Sequence, residues 1–589
     1  MDARPRSGSD LGVVVLGAAI VLTGTLWAGG ALSALLFARP VTFRRPFAGV
    51  AAFAHPGDPA VAWHVPVGPP VAYWTCAVAT VAAAGALAWA SWRFAGSAMP
   101  SGTATKVLRI EGLASISDAR RAAGRRALLA RSATLRPSLV RPKPAAVGFL
   151  LGTRRGVACW ASVEDSMLLL GPPRSGKGTQ VVIPVILDAP GPVVTTSTRP
   201  DNLATTFRAR AHRGPVCVFD PQGLAPGRAP SPLRWSLLRG CAEPQVAMAR
   251  AEALVPQAGS AGVENANFWR AQALTVTRCL LHAAALDDRP PADLYRWSHA
   301  AGGAKDAVAI LATLPQATPG WERALDAVIG ADQRTRDSVW AMVANTFAPL
   351  ADPAVLAAVT PEADRALEPA SFLADGGTLY LLGTATGASA TATLVAALIE
   401  DMVDAARRLA ARSPGQRLDP PLTLVLDEAA NYPLASLPSL MSEGGGSGIC
   451  TLAVLQSLSQ ARDRWGREAA GAIWDAAIAK LVLGGSANAD DLADLSRLIG
   501  ERDVREWSET RQGTGLPAST SSSLRRRPIL EPSDIRLLPM GTGLLLLRAA
   551  PPIALSLQPW TARRDAGALR AARTGFEANG AVDDGGGDA

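Results

Sequence analysis

Residues Gly171–Thr179 read GPPRSGKGT and directly follow the short apolar run Met167–Leu170. A glycine-bearing loop between a buried strand and a helix start turns its backbone N–H groups inward as an anion cradle. Lys177 adds a point charge for the outer phosphates. The spacing fits the phosphate-loop pattern at every position but the last, where Gly178 replaces the usual Ser or Thr and Thr179 follows. Much later comes LTLVLDEAAN, Leu422–Asn431, in which four of the five residues Leu422–Leu426 are apolar. This reads as a buried strand that delivers the adjacent carboxylates Asp427 and Glu428 to a sheet edge. The two stretches together imply nucleotide hydrolysis.

A chain of 589 residues has room for three or four domain-sized pieces. Hydrophobic residues make up 48% and mean hydropathy is +0.16, high for a purely soluble protein. The six cysteines (Cys76, Cys159, Cys217, Cys241, Cys279, Cys450) form no CxxC pair, which excludes a zinc ribbon or disulfide frame and leaves them as small buried hydrophobes. The net charge of +8 invites a nucleic-acid reading, but its location argues otherwise. Residues 1–150 hold 16 Lys and Arg against 5 Asp and Glu, leaving 42 against 45 over the remainder.

That excess flanks two uncharged stretches. Leu11–Phe37 exceeds the ~20 residues that cross a hydrocarbon core, and is too long for the apolar region of a signal peptide. Val71–Trp92 is a second such stretch, with Tyr73, Trp74, Trp89 and Trp92 placed as interfacial anchors. Arg4 and Arg6 precede the first stretch. Arg93 and a series from Lys106 to Lys143 follow the second, although Arg39, Arg44 and Arg45 lie between them. The positive-inside rule therefore places both chain ends in the cytoplasm and residues 38–70 outside. The same rule, with attraction to anionic lipid, accounts for Arg120–Arg131 better than DNA contact does.

Residues 1–97 thus read as a membrane anchor and 98–146 as a basic connector. From Val147 the pattern is mostly parallel α/β: apolar runs at Met167–Leu170, Val193–Thr196, Pro215–Phe219, Thr378–Leu382, Leu422–Leu426, Ile449–Leu455 and Lys480–Leu483 alternate with helical stretches. Both the phosphate loop and Asp427/Glu428 fall at carboxyl ends of such runs, where ligands of these sheets bind. Between Gln245 and Ala370 helical periodicity takes over (Gln245–Val255, Phe268–Ala285, Lys305–Leu314, Glu322–Ile329, Thr335–Phe347). The expected division is a nucleotide-binding domain over 147–244 and 373–565, an all-α insertion over 245–372, and a disordered tail over 566–589. Arg334 and Arg336 in the insertion read as an ordinary solvated helix start. STSSSLRRRP, Ser519–Pro528, reads as an exposed polar loop with a basic end, able to grip phosphates if it faces a pore.

In order, the chain shows two candidate spans, GPPRSGKGTQVVIP, TSTRPDNL, VFDPQG, a helical insertion, LTLVLDEAANYPL and GICTLAVLQSLSQ. This set resembles the coupling proteins of bacterial conjugation and type IV secretion, the TraG/TraD-type family, in detail its actinobacterial branch. The resemblance runs from Leu11 to about Trp560. It implies a RecA-like P-loop ATPase domain with an inserted all-α domain behind two transmembrane helices. It further implies a homo-hexamer in the bacterial inner membrane that hydrolyses ATP with Mg²⁺ and passes relaxase-bound single-stranded DNA into a secretion channel. Carried over by residue, the resemblance gives Gly171, Pro172, Pro173, Arg174, Ser175, Gly176, Lys177, Gly178, Thr179 and Gln180 to the nucleotide. Asp427 and Thr179 go to the metal, Glu428 to the attacking water and Gln456 to sensing the γ-phosphate. The insertion matches the domain relatives use to contact substrate.

Two departures qualify these expectations. Gly178 leaves the magnesium hydroxyl to Thr179 or to water. Relatives commonly carry a basic residue before the sensor strand, whereas Ser442–Gly448 reads SEGGGSG. Either an arginine finger comes from elsewhere, with Arg462, Arg464 and Arg525–Arg527 as candidates, or hydrolysis is slow. Two other readings stand beside the DNA motor. One is a docking receptor for protein substrates with weak ATPase activity, and the other an FtsK-like double-strand translocase, which the large insertion and the lack of a winged-helix module disfavour.

Overall fold

The computed structural model describes residues 8–41, 47–96, 110–225, 232–256, 266–362, 366–384, 391–510 and 519–579. They fall into two compact units, Met1–Pro100 and Ser101–Ala589. Arg4, Arg6, Arg44, Arg45, Lys106 and Arg109 of the expected charge flanks, and the tail beyond Asn579, lie outside the described residues.

In the first unit, helices Gly8–Leu36 and Pro70–Gly96 carry the two uncharged stretches. Among the described residues one helix, Pro70–Leu87 at mean hydropathy 1.4, is long and apolar enough to cross a membrane. Val21–Leu36 is a shorter apolar helix. The connecting segment builds a small core of its own from Ala48, Ala52, Ala62, Trp63, Val67 and Tyr73. This corrects the reading of Tyr73 as an interfacial anchor: it is fully buried, and its hydroxyl accepts from Trp63 Nε1 at 3.1 Å. Trp74 likewise donates to the Pro56 carbonyl at 3.0 Å. Trp89 is exposed, and the side chain of Trp92 lies outside the described residues.

The second unit opens with β1 (Gly148–Arg154) and β2 (Val157–Ser162), followed by β3 (Met167–Leu170), β4 (Val193–Ser197), β5 (Val216–Phe219) and β6 (Thr378–Leu382). After these come β7 (Leu422–Leu426), β8 (Ile449–Leu455), β9 (Ala479–Leu483), β10 (Glu501–Thr510), β11 (Ser519–Pro528), β12 (Thr542–Leu547) and β13 (Ile553–Ser556). Eleven of them form one sheet in the order β2-β1-β13-β12-β9-β3-β8-β7-β4-β6-β5. β3 to β9 are mutually parallel and coincide with the seven apolar runs named from sequence. Parallel strands are covered on both faces, so their inward and outward positions alike are mostly apolar and the run is near-continuous. β12, β13, β1 and β2 extend the sheet antiparallel.

Two apolar layers close over the sheet. One packs the strands against the helices between β5 and β6, among them Ala266–Leu286 and Gln333–Phe347. The other covers the opposite face with Ala119, Ala123, Leu128 and Leu135, so part of the basic connector is core-forming. Within that connector Arg131 pairs with Glu164, and Arg136 pairs with Asp419 at 2.7 Å. These arginines answer to internal carboxylates rather than to lipid or DNA. The start of Gln333–Phe347 is capped by the Asp332 side chain, which accepts from Thr335 N at 3.1 Å, in keeping with a solvated start for Arg334 and Arg336.

Two expectations are corrected here. Residues 566–579 are not a disordered tail but helix Ala566–Asn579, which buries Leu569, Ala572 and Phe576 and stacks Phe576 on Phe207 at 5.6 Å between ring centroids. Ser519–Pro528 is not a loop but β11, paired antiparallel with β10 over ten residues.

The helical layer is pinned to the sheet domain by one buried carboxylate. Asp401, in helix Ala392–Arg412, accepts from Trp235 Nε1 at 2.9 Å and pairs with Arg250 at 3.0 Å and Arg239 at 3.3 Å. Arg250 and Asp401 are both about 4% exposed. Removing one partner of such a pair strands the other in low dielectric, so Asp401→Ala should destabilise the protein by about 3–5 kcal/mol. Urea unfolding of the detergent-solubilised chain, set against an exposed control such as Asp404→Ala, measures it.

Candidate nucleotide site

Four apolar residues make β3, and Leu170 pairs with Leu455 at the end of β8. Gly171 N donates to the Leu455 carbonyl at 3.0 Å, so the loop leaves the sheet beside the residue that precedes Gln456. A Cβ at Gly171 would stand 2.7 Å from Ser175 Oγ, and Gly176 has φ +89°, so the tight loop requires glycine at both positions. Gly178 is different: a Cβ there would meet nothing within 4 Å. The helix that follows begins as a π-turn over Gly178–Val182 and continues as Ile183–Asp188.

The sheet order carries the chemistry. β8 lies between β3 and β7, so the phosphate loop, Gln456 and the acid pair emerge from three adjacent parallel strands. Lys177 Nζ binds Glu428 Oε1, and both side chains are nearly buried. Gln456 Nε2 donates to the other Glu428 oxygen at 2.7 Å. Lys177, Glu428 and Gln456, named from sequence at three distant places, therefore share one carboxylate. Glu428 itself adopts a left-handed conformation (φ 53°, ψ 46°), which turns its side chain off the strand end towards the loop.

Asp427 lies behind it. Burial, moderated by the Lys177 charge and reinforced by Glu428, raises its carboxyl to about 6. Glu428 N donates to Asp427 Oδ1 at 3.1 Å and Asn202 Nδ2 to Oδ2 at 3.4 Å, while Thr196 Oγ1 donates to the Asp427 carbonyl at 2.8 Å. Tyr432 OH donates to the carbonyls of Ser197 and Gly383, tying the ends of β4 and β6 to the acid turn. Asn202, Thr196 and Tyr432 were not singled out from sequence. The TSTRPDNL stretch holds the first two, but only the adjacency of β4 to β7 gives them their place.

The donor set fits a polyphosphate. Ser175 Oγ, which can donate, is buried at the loop without a hydrogen-bond partner, beside Lys177. For a metal the set is thinner. Thr179 is exposed with its hydroxyl donating to Gly176 O at 3.1 Å, and among the described residues no three His, Cys, Asp or Glu cluster together. Asp427 and Thr179 would supply an inner or water-mediated share of an octahedral shell and leave the rest to phosphate and water, as Mg²⁺ accepts. The finger candidates lie elsewhere: Arg462 is held by Asp491 at 2.9 Å, and Arg464 pairs loosely with Asp463 at 3.9 Å.

A parallel sheet with the phosphate loop and the acid strand separated by one intervening strand defines a RecA-like α/β fold carrying a phosphate-binding loop. Residues 421–540 match the family described as the TraM recognition site of TraD and TraG. The fold is similar to that of plasmid coupling protein TrwB in complex with the non-hydrolysable ATP analogue ADPNP. The TM-score is 0.51 at 19% identity, over 67% of this chain and 86% of that one. TrwBdeltaN70, a bacterial conjugative coupling protein, in its trigonal form with sulphate gives 0.50 at 19% identity over the same shares. No curated protein matches the chain.

The raised Asp427 carboxyl makes a testable pH dependence. Its folded value of about 6 lies above the unfolded 3.8, so its contribution to stability is complete below the unfolded value and is lost as pH rises through about 6. Asp427→Asn removes that loss. The nucleotide-free variant should unfold a few degrees above wild type at pH 8, with the two melting temperatures converging as pH falls below 4; thermal unfolding in detergent across that range reads it.

Proposed function

We propose that the chain is a membrane-anchored ATPase that couples ATP hydrolysis to the recruitment and transfer of relaxase-bound single-stranded DNA into a type IV secretion channel. The observation that carries this reading is the Glu428 carboxylate held between Lys177 and Gln456 at the ends of three adjacent strands. The match of residues 421–540 to the TraD and TraG family supports the transfer role, and the nucleotide complex of TrwB supports ATP as the ligand of the loop.

In this reading the arriving γ-phosphate draws Lys177 Nζ away from Glu428 Oε1. The freed oxygen takes a proton from the attacking water while Gln456 holds the other oxygen in line. The new bond forms from water oxygen to the γ-phosphorus, the bond to the β-bridging oxygen breaks, and ADP and phosphate leave. Mg²⁺, when bound, neutralises charge on the phosphate oxygens. Asp427 and Thr179 would hold the ion, Thr179 with the hydroxyl that Gly178 lacks. Residues 147–244 and 373–565 form the nucleotide-binding domain of a homo-hexamer, and 245–372 meet the substrate. Both helices of the first unit span the inner membrane, with both chain ends cytoplasmic and the small core around Trp63 outside.

One observation favours the docking-receptor reading. Arg462, a finger candidate, is committed to Asp491 within its own subunit. ATP hydrolysis by the purified chain, with single-stranded, duplex or no DNA, separates the two. Single strands should stimulate turnover. Lys177→Ala should abolish it, and Glu428→Gln should keep ATP binding while turnover falls by roughly 10²–10⁴. Tight binding with negligible turnover under every DNA condition would sink the motor and leave the receptor. In the same assay Thr179→Val should raise the Mg²⁺ needed for half-maximal turnover several-fold, and adding Gly178→Ser, for which there is room, should restore it.

A further inference from the structure

The phosphate loop is flanked on both sides. β3 lies between β8, which leads into Gln456, and β9, with β12 paired to β9 beyond it. Residues 537–541 form the turn that enters β12, and contacts at both of its ends hold it against the loop. Gly485, just after β9, donates its N–H to the Arg536 carbonyl at 2.8 Å, and a Cβ on Gly485 would stand 3.1 Å from Pro172 Cγ. At the other end, a Cβ on Gly541 would stand 3.9 Å from Gln180 Nε2. Between these fixed points the chain reads LLPM. Leu538 packs inward, whereas Leu537 and Met540 are 68% and 73% exposed.

The direction of a bound nucleotide follows from the site. Lys177, Glu428 and Gln456 lie on the β7 and β8 side of the loop and mark the γ-phosphate end. The loop backbone cradles the inner phosphates, which brings the α-phosphate to the helix start at Gly178–Val182. The nucleoside leaves from there on the free side, towards β9 and β12, and beyond Gln180 it meets the 537–541 turn. The Gln180 amide does not fill that space. Its Cδ, Nε2 and Oε1 lie 3.1–3.2 Å from where a Cβ on Gly176 would stand, so it folds back over the loop. An exposed apolar side chain by itself needs no explanation. Here two large ones stand close together on a turn fixed at both ends beside the phosphates, and one is a thioether, which packs well on an aromatic ring. We infer that Leu537 and Met540 form the platform on which the base of the bound nucleotide lies.

This rests on the nucleotide reading of the loop and adds to it the place and the manner in which the base is held. The side chains of residues 537–541 are Leu, Leu, Pro, Met and Gly, and none carries a hydrogen-bonding group. The platform therefore touches the face of the base and leaves its edge unread, so adenine and guanine nucleotides gain from it alike.

Titration calorimetry of the full-length chain in detergent with Mg²⁺ tests it, using ADPNP, its guanine counterpart GDPNP and inorganic tripolyphosphate, which has no base. Leu537→Ala/Met540→Ala should bind ADPNP and GDPNP each roughly tenfold more weakly than wild type. Its affinity for tripolyphosphate should stay within about twofold of wild type, because the platform acts on the base alone. Met540→Phe, which keeps a stacking face, should bind ADPNP within about twofold of wild type. Unchanged ADPNP affinity in the double variant, or equal losses for ADPNP and tripolyphosphate, would overturn the platform while wild-type ADPNP binding leaves the ATPase reading intact. A loss confined to one of the two nucleotides would show that an edge is read and overturn the face contact. A change in oligomer size with nucleotide affinity kept would assign the two side chains to a contact between subunits and overturn it too. A wild-type chain that binds neither ADPNP nor tripolyphosphate would overturn both readings.

Discussion

The rest of the site depends on one carboxylate having its two oxygens claimed by different strands. Glu428 lies at the end of β7, its Oε1 bound by Lys177 from the loop after β3 and its Oε2 by Gln456 at the end of β8. This is possible only because β8 runs between β3 and β7 in register, Leu170 against Leu455 and Leu426 against Ala453. The interiors of these strands are apolar, or polar only at threonine, and buried, so no polar chemistry is available until the strands end. There the polar groups face one crevice. Burial raises the Asp427 carboxyl, with Lys177 opposing the shift and the adjacent Glu428 adding to it. Lys177, Glu428 and Gln456 thus satisfy one another, and a polyphosphate would compete with Glu428 for the lysine.

A second layer keeps that arrangement from relaxing. Thr196 and Asn202 come from β4 and the turn after it, and Tyr432 binds carbonyls at the ends of β4 and β6. Strain at Glu428, in its left-handed turn, persists only because neighbouring strand ends over-determine it. Elsewhere the buried carboxylates of the body are matched to arginines: Asp165 to Arg548 and Arg131, Asp401 to Arg250 and Arg239, Asp491 to Arg462.

The residues that touch Glu428 were legible because each is announced locally: a glycine loop with lysine, an acid pair behind an apolar run, an amide after another. The seven parallel strands were legible for a related reason, since burial on both faces leaves a continuous apolar run. Their spatial order is written nowhere locally, so Asn202 and Thr196 went unassigned. β2 is an edge strand and β1 its neighbour, both of mixed burial, although β12, TGLLLL, carries the same signal as the runs named. The β10–β11 ribbon was unreadable because period-2 alternation presupposes one buried face, and RRR and SSS tracts with two solvated faces show none. Tyr73 and Trp74 misled because an aromatic pair at a helix start looks alike whether it meets headgroups or a small protein core.

Asp491 connects two helices. Its carboxylate accepts from Leu458 N at 3.1 Å and from Arg462 at 2.9 Å, while its own N–H donates to the Asn488 side chain at 2.9 Å. One buried acid therefore caps the helix that begins two residues after Gln456 and lies in the first turn of the helix that precedes β10. The two helices thus share one fixed point, the Asp491 carboxylate, and Arg462, considered as a finger reaching into a neighbouring subunit, is accounted for within its own chain by that same carboxylate.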